Sequence, residues 1–161
     1  MPTSDGVIRS SDVANDAVIT RCVDGQAITV TELEDPVFAE IASTNFLNIS
    51  LTTSYADAIT DTITVPSWVG DLDVLLVSDA QITNGSGALQ SVICRNTVGG
   101  TVLGAGVHDV TNGETGQVSK ASGRSISSPG ATVAVLTEAK VGASTNSNNG
   151  GRHVWTAIGT R

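Results

Sequence analysis

Cysteine, lysine, aromatic residues and long apolar runs are all scarce in this chain of 161 residues. Its two cysteines, Cys22 and Cys94, are too few for a disulfide framework and read as small hydrophobes or ordinary thiols. Phe38, Phe46, Tyr55, Trp68 and Trp155 are the only aromatics. So few rings do not make a stacking platform for nucleic-acid bases. A net charge of −8 and a pI near 4.4 also oppose binding to phosphate backbones. No stretch approaches the roughly 18 consecutive apolar residues of a membrane-spanning helix. The opening Met1-Pro2-Thr3-Ser4-Asp5-Gly6 has neither a basic nor an apolar segment, which predicts no secretory signal. Neither nucleic acid nor a membrane is therefore an expected partner.

Catalytic raw material is equally thin. His108 and His153 are the only histidines. His108 and Asp109 are neighbours in a predicted strand, so their side chains would point to opposite faces. No Gly-x-Ser-x-Gly turn is present. Asp71, Asp73 and Asp79 do not sit in a loop of alternating oxygen donors, and no Cys/His cluster has zinc spacing. The glycines from Gly99 to Gly106 lack the Lys-Ser/Thr of a phosphate loop. The expectation is a protein without catalytic residues, metal or cofactor. A metal on a symmetry axis, held by copies of one Asp or His, is left open.

β-Branched residues, by contrast, are abundant: 20 Val, 11 Ile and 20 Thr against nine Leu. Such side chains lose χ1 freedom in helices and pack well on a pleated sheet. From Phe46 onward the pattern predicts eight strands: 46–53, 59–65, 72–79, 88–97, 101–110, 115–122, 131–141 and 152–160. In the first of these, Leu47, Ile49 and Leu51 would share one face. Turn chemistry at Asn84-Gly85, Gly99-Gly100, Asn112-Gly113, Ser128-Pro129-Gly130 and Asn149-Gly150-Gly151 separates the strands. Eight antiparallel strands at this spacing predict an all-β, jelly-roll-like sandwich over residues 46–161.

Residues 1–45 differ in texture. Small apolar clusters (Val7-Ile8, Val13, Val18-Ile19, Val23, Ile28, Leu33) recur among Asp, Thr, Ser and Ala. They have too little apolar surface to fold alone, which predicts an extended arm that orders along a partner. Near its end, Leu33, Val37 and Ile41 have roughly helical spacing. That predicts a short helix from Asp35, with Pro36 at its first position and Ser43-Thr44-Asn45 at its end. Charge divides as well. Residues 1–79 carry 13 acids and two bases, and residues 80–161 carry three acids and six bases.

Strands 72–79 and 131–141 are apolar on both faces. A sandwich strand needs only one buried face, so Leu75, Val77, Ala134 and Leu136 are expected at a subunit interface. Trp155 lies mid-strand and reads as core. Trp68, in the loop Pro66-Ser67-Trp68-Val69-Gly70, is a candidate for an exposed ligand contact, and Tyr55 is another.

The opening, Gly6-Val7-Ile8-Arg9 through Val18-Ile19-Thr20-Arg21-Cys22-Val23-Asp24-Gly25-Gln26-Ala27-Ile28-Thr29 to Asp35, resembles the degenerate repeats that wind as three chains in bacteriophage fibre shafts. It departs from them at Glu32, where the fibre pattern usually has Lys, and it holds at most two units. The remainder is similar in layout to the trimeric jelly-roll heads of phage fibres, capsid decoration proteins and tumour-necrosis-factor-like proteins. The resemblance implies a non-enzymatic virion protein on the capsid exterior: a homotrimeric decoration or cement protein whose arm binds the major capsid protein. Its alternative is the receptor- or carbohydrate-binding tip of a fibre or spike. A chain of this length opening on Met1 is expected to fit decoration better.

Overall fold

A computed structural model describes residues 37–161, which form one compact unit, Val37–Arg161. Eight strands follow in chain order: β1 (Phe38–Leu47), β2 (Ala56–Thr64), β3 (Asp71–Thr83), β4 (Gln90–Val98), β5 (Thr101–Val110), β6 (Thr115–Ser127), β7 (Thr132–Val141) and β8 (Asn149–Thr160). They build two antiparallel four-stranded sheets, ordered β1-β8-β3-β6 and β2-β7-β4-β5. The chain changes sheet at every connection except the β4–β5 hairpin, which is the jelly-roll order. The expected all-β antiparallel eight-stranded jelly roll is therefore present.

The first strand differs from expectation. No helix begins near Asp35 within the described residues, because Phe38–Leu47 is strand β1, paired with β8 from Phe38↔Gly159 to Leu47↔Gly150. Three apolar residues at loose helical spacing bury little surface on a short helix. As a strand, the same segment gains a ten-residue ladder and turns Phe38, Ala42, Thr44 and Phe46 inward. Asn48, at a left-handed φ of 53°, ends the strand. The expected strand 46–53 is thus replaced by a loop that touches the sandwich through the Leu51↔Asn146 bridge. Leu47 is 73% exposed and Leu51 fully buried, so the expected shared face of Leu47, Ile49 and Leu51 does not exist.

The interior between the sheets is not uniformly apolar. One cluster gathers Phe46, Leu51, Ile59, Ala80, Ile82, Val92, Val110, Val118 and Val141. The other gathers Ile63, Val65, Leu72, Val74, Leu76, Val98, Val133, Val135 and Trp155. Between them runs a polar belt with one inward residue from nearly every strand. In the first sheet Thr44, His153 and Ser78 are direct cross-strand partners, and Ser122 lies on the adjoining β6. In the second sheet Asn96 faces Thr137, and Asp61 lies on β2.

Close approach between strands also needs glycine at Gly151. A Cβ there would press into the Asp79 carbonyl and come within 2.8 Å of the Phe46 ring. Gly151→Ala is expected to destabilise the fold by about 1–3 kcal/mol, as overpacking does. Chemical denaturation would show the lowered midpoint with an unchanged slope.

Candidate functional site

Among the described residues, the outer face of the β1-β8-β3-β6 sheet carries a contiguous run of exposed apolar side chains. Two adjacent rows cross all four strands: Ile41–Thr156–Leu75–Gly123 and Ser43–Val154–Val77–Ala121. Ile158 extends them on β8. Ile41, Leu75, Val77 and Ile158 are 69%, 52%, 43% and 49% exposed. Gly123 leaves a depression beside Leu75, part of a cavity of about 450 Å³ lined also by Thr156, Ile158, Asp73 and Ser125. Among the described residues, charge lies along the margins, with Arg124 on the edge strand β6 also lining the cavity. On one side the Ser125 hydroxyl donates to Asp73, and on the other Arg152 Nε donates to Asp79 Oδ2 at 3.2 Å. The stripe is thus apolar at its centre and polar at its rim, the anatomy of a protein interface.

The expected interface residues do not all fall on this surface. Leu75 and Val77 are on it, but Ala134 and Leu136 project from β7 on the outer face of the other sheet. The two faces are opposite sides of one sandwich, so the four residues do not form one continuous patch. Periodicity shows that a strand has a second apolar face but not which sheet it joins. The expected arm contacts Val7, Ile8, Val13, Val18, Ile19, Val23, Ile28 and Leu33 lie outside the described residues.

The polar belt includes a constellation that no local motif announced. Asp61 Oδ2 accepts hydrogen bonds from Thr44 Oγ1 at 2.9 Å, His153 Nε2 at 2.8 Å and Trp155 Nε1 at 3.1 Å. On the far side of the ring, His153 Nδ1 lies 3.1 Å from Thr137 Oγ1. With the Nε2 proton turned to Asp61, an Nδ1 that carries no proton accepts from the Thr137 hydroxyl. Burial works against the Asp61 charge, but the bonds from His153, Trp155 and Thr44 outweigh it and hold its carboxyl below the ordinary 3.8. The order carboxylate–imidazole–hydroxyl is that of a nucleophilic triad. Here, however, His153 and Thr137 have no exposed surface. A hydroxyl sealed between two sheets meets no substrate. What this group does is tie β1 and β8 to β2 and β7.

The other half of the belt is similar. Asn96 is fully buried and donates through Nδ2 to the Leu76 and Lys120 carbonyls, both at 3.1 Å, and to Ser122 Oγ at 3.2 Å. Its Oδ1 accepts from the Ser78 hydroxyl. Ser78 Oγ is also 3.4 Å from the Cys94 sulfur, whose thiol is pushed up in pKa by burial. Cys94 is a small buried core residue, free of any disulfide. Asn96 sits at a register irregularity of the β4–β5 pairing, between Arg95 and Thr97, while its pairing with β7 runs on unbroken, so Asn96 points inward and Thr97 points outward to donate to Glu138 Oε2 at 2.8 Å.

Tyr55 and Trp68, the expected ligand contacts, are far apart in the chain and are used differently. Tyr55 is half-buried, with the Arg95 guanidinium 3.8 Å and the Lys140 ammonium 4.6 Å from its ring centroid. Arg95 in turn holds Glu138 through a two-pronged pair at 2.6 and 2.8 Å, which lowers the Glu138 pKa. The ring is therefore engaged by the protein's own cations. Trp68 is half-buried in the β2–β3 loop and borders a cavity of about 540 Å³. Trp155 is core, as expected, with 2% of its surface exposed. Among the described residues, no three His, Cys, Asp or Glu side chains converge on a point where a metal could sit.

No family model matches the sequence, and no curated protein does. Among solved structures the chain is distantly similar to the C-terminal domain of EclA, described as a sugar-binding protein (12% identity over 76% of this chain and 79% of that one, TM-score 0.37). It is likewise similar to the globular domain of a zebrafish complement 1qA protein (11% identity, 78% and 96% covered, TM-score 0.36). A third is the VP2 subviral particle of infectious bursal disease virus (12% identity, 79% and 32% covered, TM-score 0.31). At such identities and scores these likenesses add nothing to what the strand order already establishes.

Proposed function

We propose that this chain is a non-enzymatic structural protein of a virion, a homotrimeric capsid decoration protein. Its jelly roll self-associates through the outer face of the β1-β8-β3-β6 sheet. The observation that carries the reading is the two-row apolar stripe of Ile41, Leu75, Val77, Val154 and Ile158 across that face. Large apolar side chains exposed along one contiguous band favour burial against another protein surface. Trimeric order and the capsid come from the resemblance of residues 6–35 to fibre repeats and of the head to trimeric knobs. In this reading the N-terminal segment engages the major capsid protein, and three arms acting as one body multiply a weak contact by avidity.

Light scattering on the full chain near neutral pH tests the first step. The expected mass is about three times the 16.3 kDa of one chain. Leu75→Glu with Val77→Glu is expected to weaken assembly by about a hundredfold or more, because a charge desolvated at an interface costs several kcal/mol. Circular dichroism of the variant should keep the β signature. A wild-type monomer at micromolar concentration would sink the self-association. Removal of residues 1–30 then separates decoration from a host-binding tip: binding to undecorated capsids is lost in the first case and host binding survives in the second.

A further inference from the structure

The geometry points to a saccharide-binding site in the cavity beside Trp68, separate from the apolar stripe. The cavity holds about 540 Å³ and is formed by the β2–β3 loop (Val65, Trp68 and Gly70 among its residues), the β6–β7 loop at Ser128 and Gly130, and Arg161. That volume falls within the range of small-molecule sites.

Its walls are held in place before any ligand arrives. Val65 N–H donates to the Ala131 carbonyl at 2.9 Å, tying the two loops together, and Ser128 N–H donates to the Gly70 carbonyl. Gly70 N–H donates to Thr160 at 2.8 Å, tying the same rim to the end of β8. Beneath, Val65 and Val69 are buried, and Trp68 packs on the adjoining core cluster. Ser128 adopts a left-handed φ of 51°, which a β-carbon resists. Asn48 is the only other described non-glycine residue with positive φ. Strain of this kind persists where the surroundings enforce it, and it concentrates at ligand clamps.

The lining selects the ligand class. One half-buried indole offers a flat apolar surface, Ser67 and Ser128 offer hydroxyls, and Arg161 is the one charged side chain among the described lining residues. A pyranose ring has the matching division, with an apolar C–H face for the indole and hydroxyls along its edge for the serines and loop carbonyls. Tyr55 is not an equivalent site, because two cations already cover it.

Intrinsic fluorescence of the full chain reads this site directly. Trp155 is sealed in the core with its indole N–H on Asp61, so a ligand-dependent change in emission reports Trp68. Titration with methyl β-glucopyranoside, methyl β-galactopyranoside and methyl α-mannopyranoside is expected to give a saturable shift with at least one, with a dissociation constant in the millimolar range. Trp68→Phe should keep saccharide binding by calorimetry within about threefold, and Trp68→Ala should lose it by about tenfold or more. Because Trp68→Ala also removes core contacts, Ala131→Trp serves as a second variant, filling the exposed mouth without touching the core. It should abolish binding at an unchanged melting temperature. Absence of a saturable shift with all three glycosides overturns the assignment, and so does binding that survives in a folded Ala131→Trp protein.

Discussion

Replacing Asp61 with alanine is expected to destabilise the fold by about 1–3 kcal/mol, because the carboxylate is itself partly exposed while two of the donors it serves are buried. The reason is the number of donors it leaves behind. Thr44 Oγ1, His153 Nε2 and Trp155 Nε1 all converge on Asp61 Oδ2. His153 is wholly buried and Trp155 nearly so, so both donors depend on what fills the partly exposed position that Asp61 leaves. A buried donor left unsatisfied costs about 1–3 kcal/mol. Asp61→Asn keeps an acceptor oxygen but not the charge, and its effect should be about half as large. The pH dependence follows from the direction of the shift. Because the folded-state pKa of Asp61 lies below 3.8, its ionised form is bound more tightly in the folded protein than in the unfolded chain. That stabilisation is full above the unfolded pKa and is lost as pH falls through the folded one. Urea unfolding should therefore show the gap between wild type and Asp61→Asn at neutral pH and its narrowing below about pH 4. A gap that stays constant into acid would mean that the Asp61 charge contributes nothing.

The belt shows which part of this architecture is legible in the sequence. Each strand carries an apolar frame with period two, and at one place the frame is interrupted. Ile59 and Ile63 flank Asp61, Leu76 and Ala80 flank Ser78, and Val135 and Ala139 flank Thr137. An inward polar residue in an apolar frame signals a buried hydrogen bond, because an unpaired one would be expelled. Its partner is not legible. Asp61 and His153 are 92 residues apart and meet only because β2 and β8 come from opposing sheets. For the same reason the turns and seven strands are recovered, while the placing of Leu75 and Ala134 on opposite outer faces is not legible. A frame tells inside from outside, but the strand order decides which outside. The β1 segment fails differently. Its apolar residues suit a short helix nearly as well as a strand, and the deciding factor, a free edge on β8, belongs to residues more than a hundred positions later. Trp68 was legible as a loop aromatic, but its cavity depends on the distant β6–β7 loop.

The belt also bears on why these strands settle in one register. Slipping β3 by two residues against β8 would set Ser78 outside the row of Thr44 and His153 and drive an apolar side chain into it. Each such slip leaves polar groups unpaired, so the belt penalises alternatives that the Val- and Thr-rich frames alone would tolerate. Asn96 is the residue on which this acts most strongly, since it bonds β3 and β6 from β4 through four partners. Asn96→Leu is expected to lower stability by about 3 kcal/mol, because the Ser78 and Ser122 hydroxyls lose their shared partner. Ser78→Ala alone should cost about 1–2 kcal/mol, since it orphans the Asn96 carbonyl oxygen. The two together should cost less than their sum. Once Asn96 is gone the buried Ser78 hydroxyl keeps only the weak contact to the Cys94 sulfur at 3.4 Å, so deleting it costs less than it does in the wild type. A double-mutant cycle from urea midpoints should give a coupling of about 1–2 kcal/mol. Strict additivity would mean that the two residues do not act through one another, and that the belt is a row of separate bonds instead of a unit that sets register.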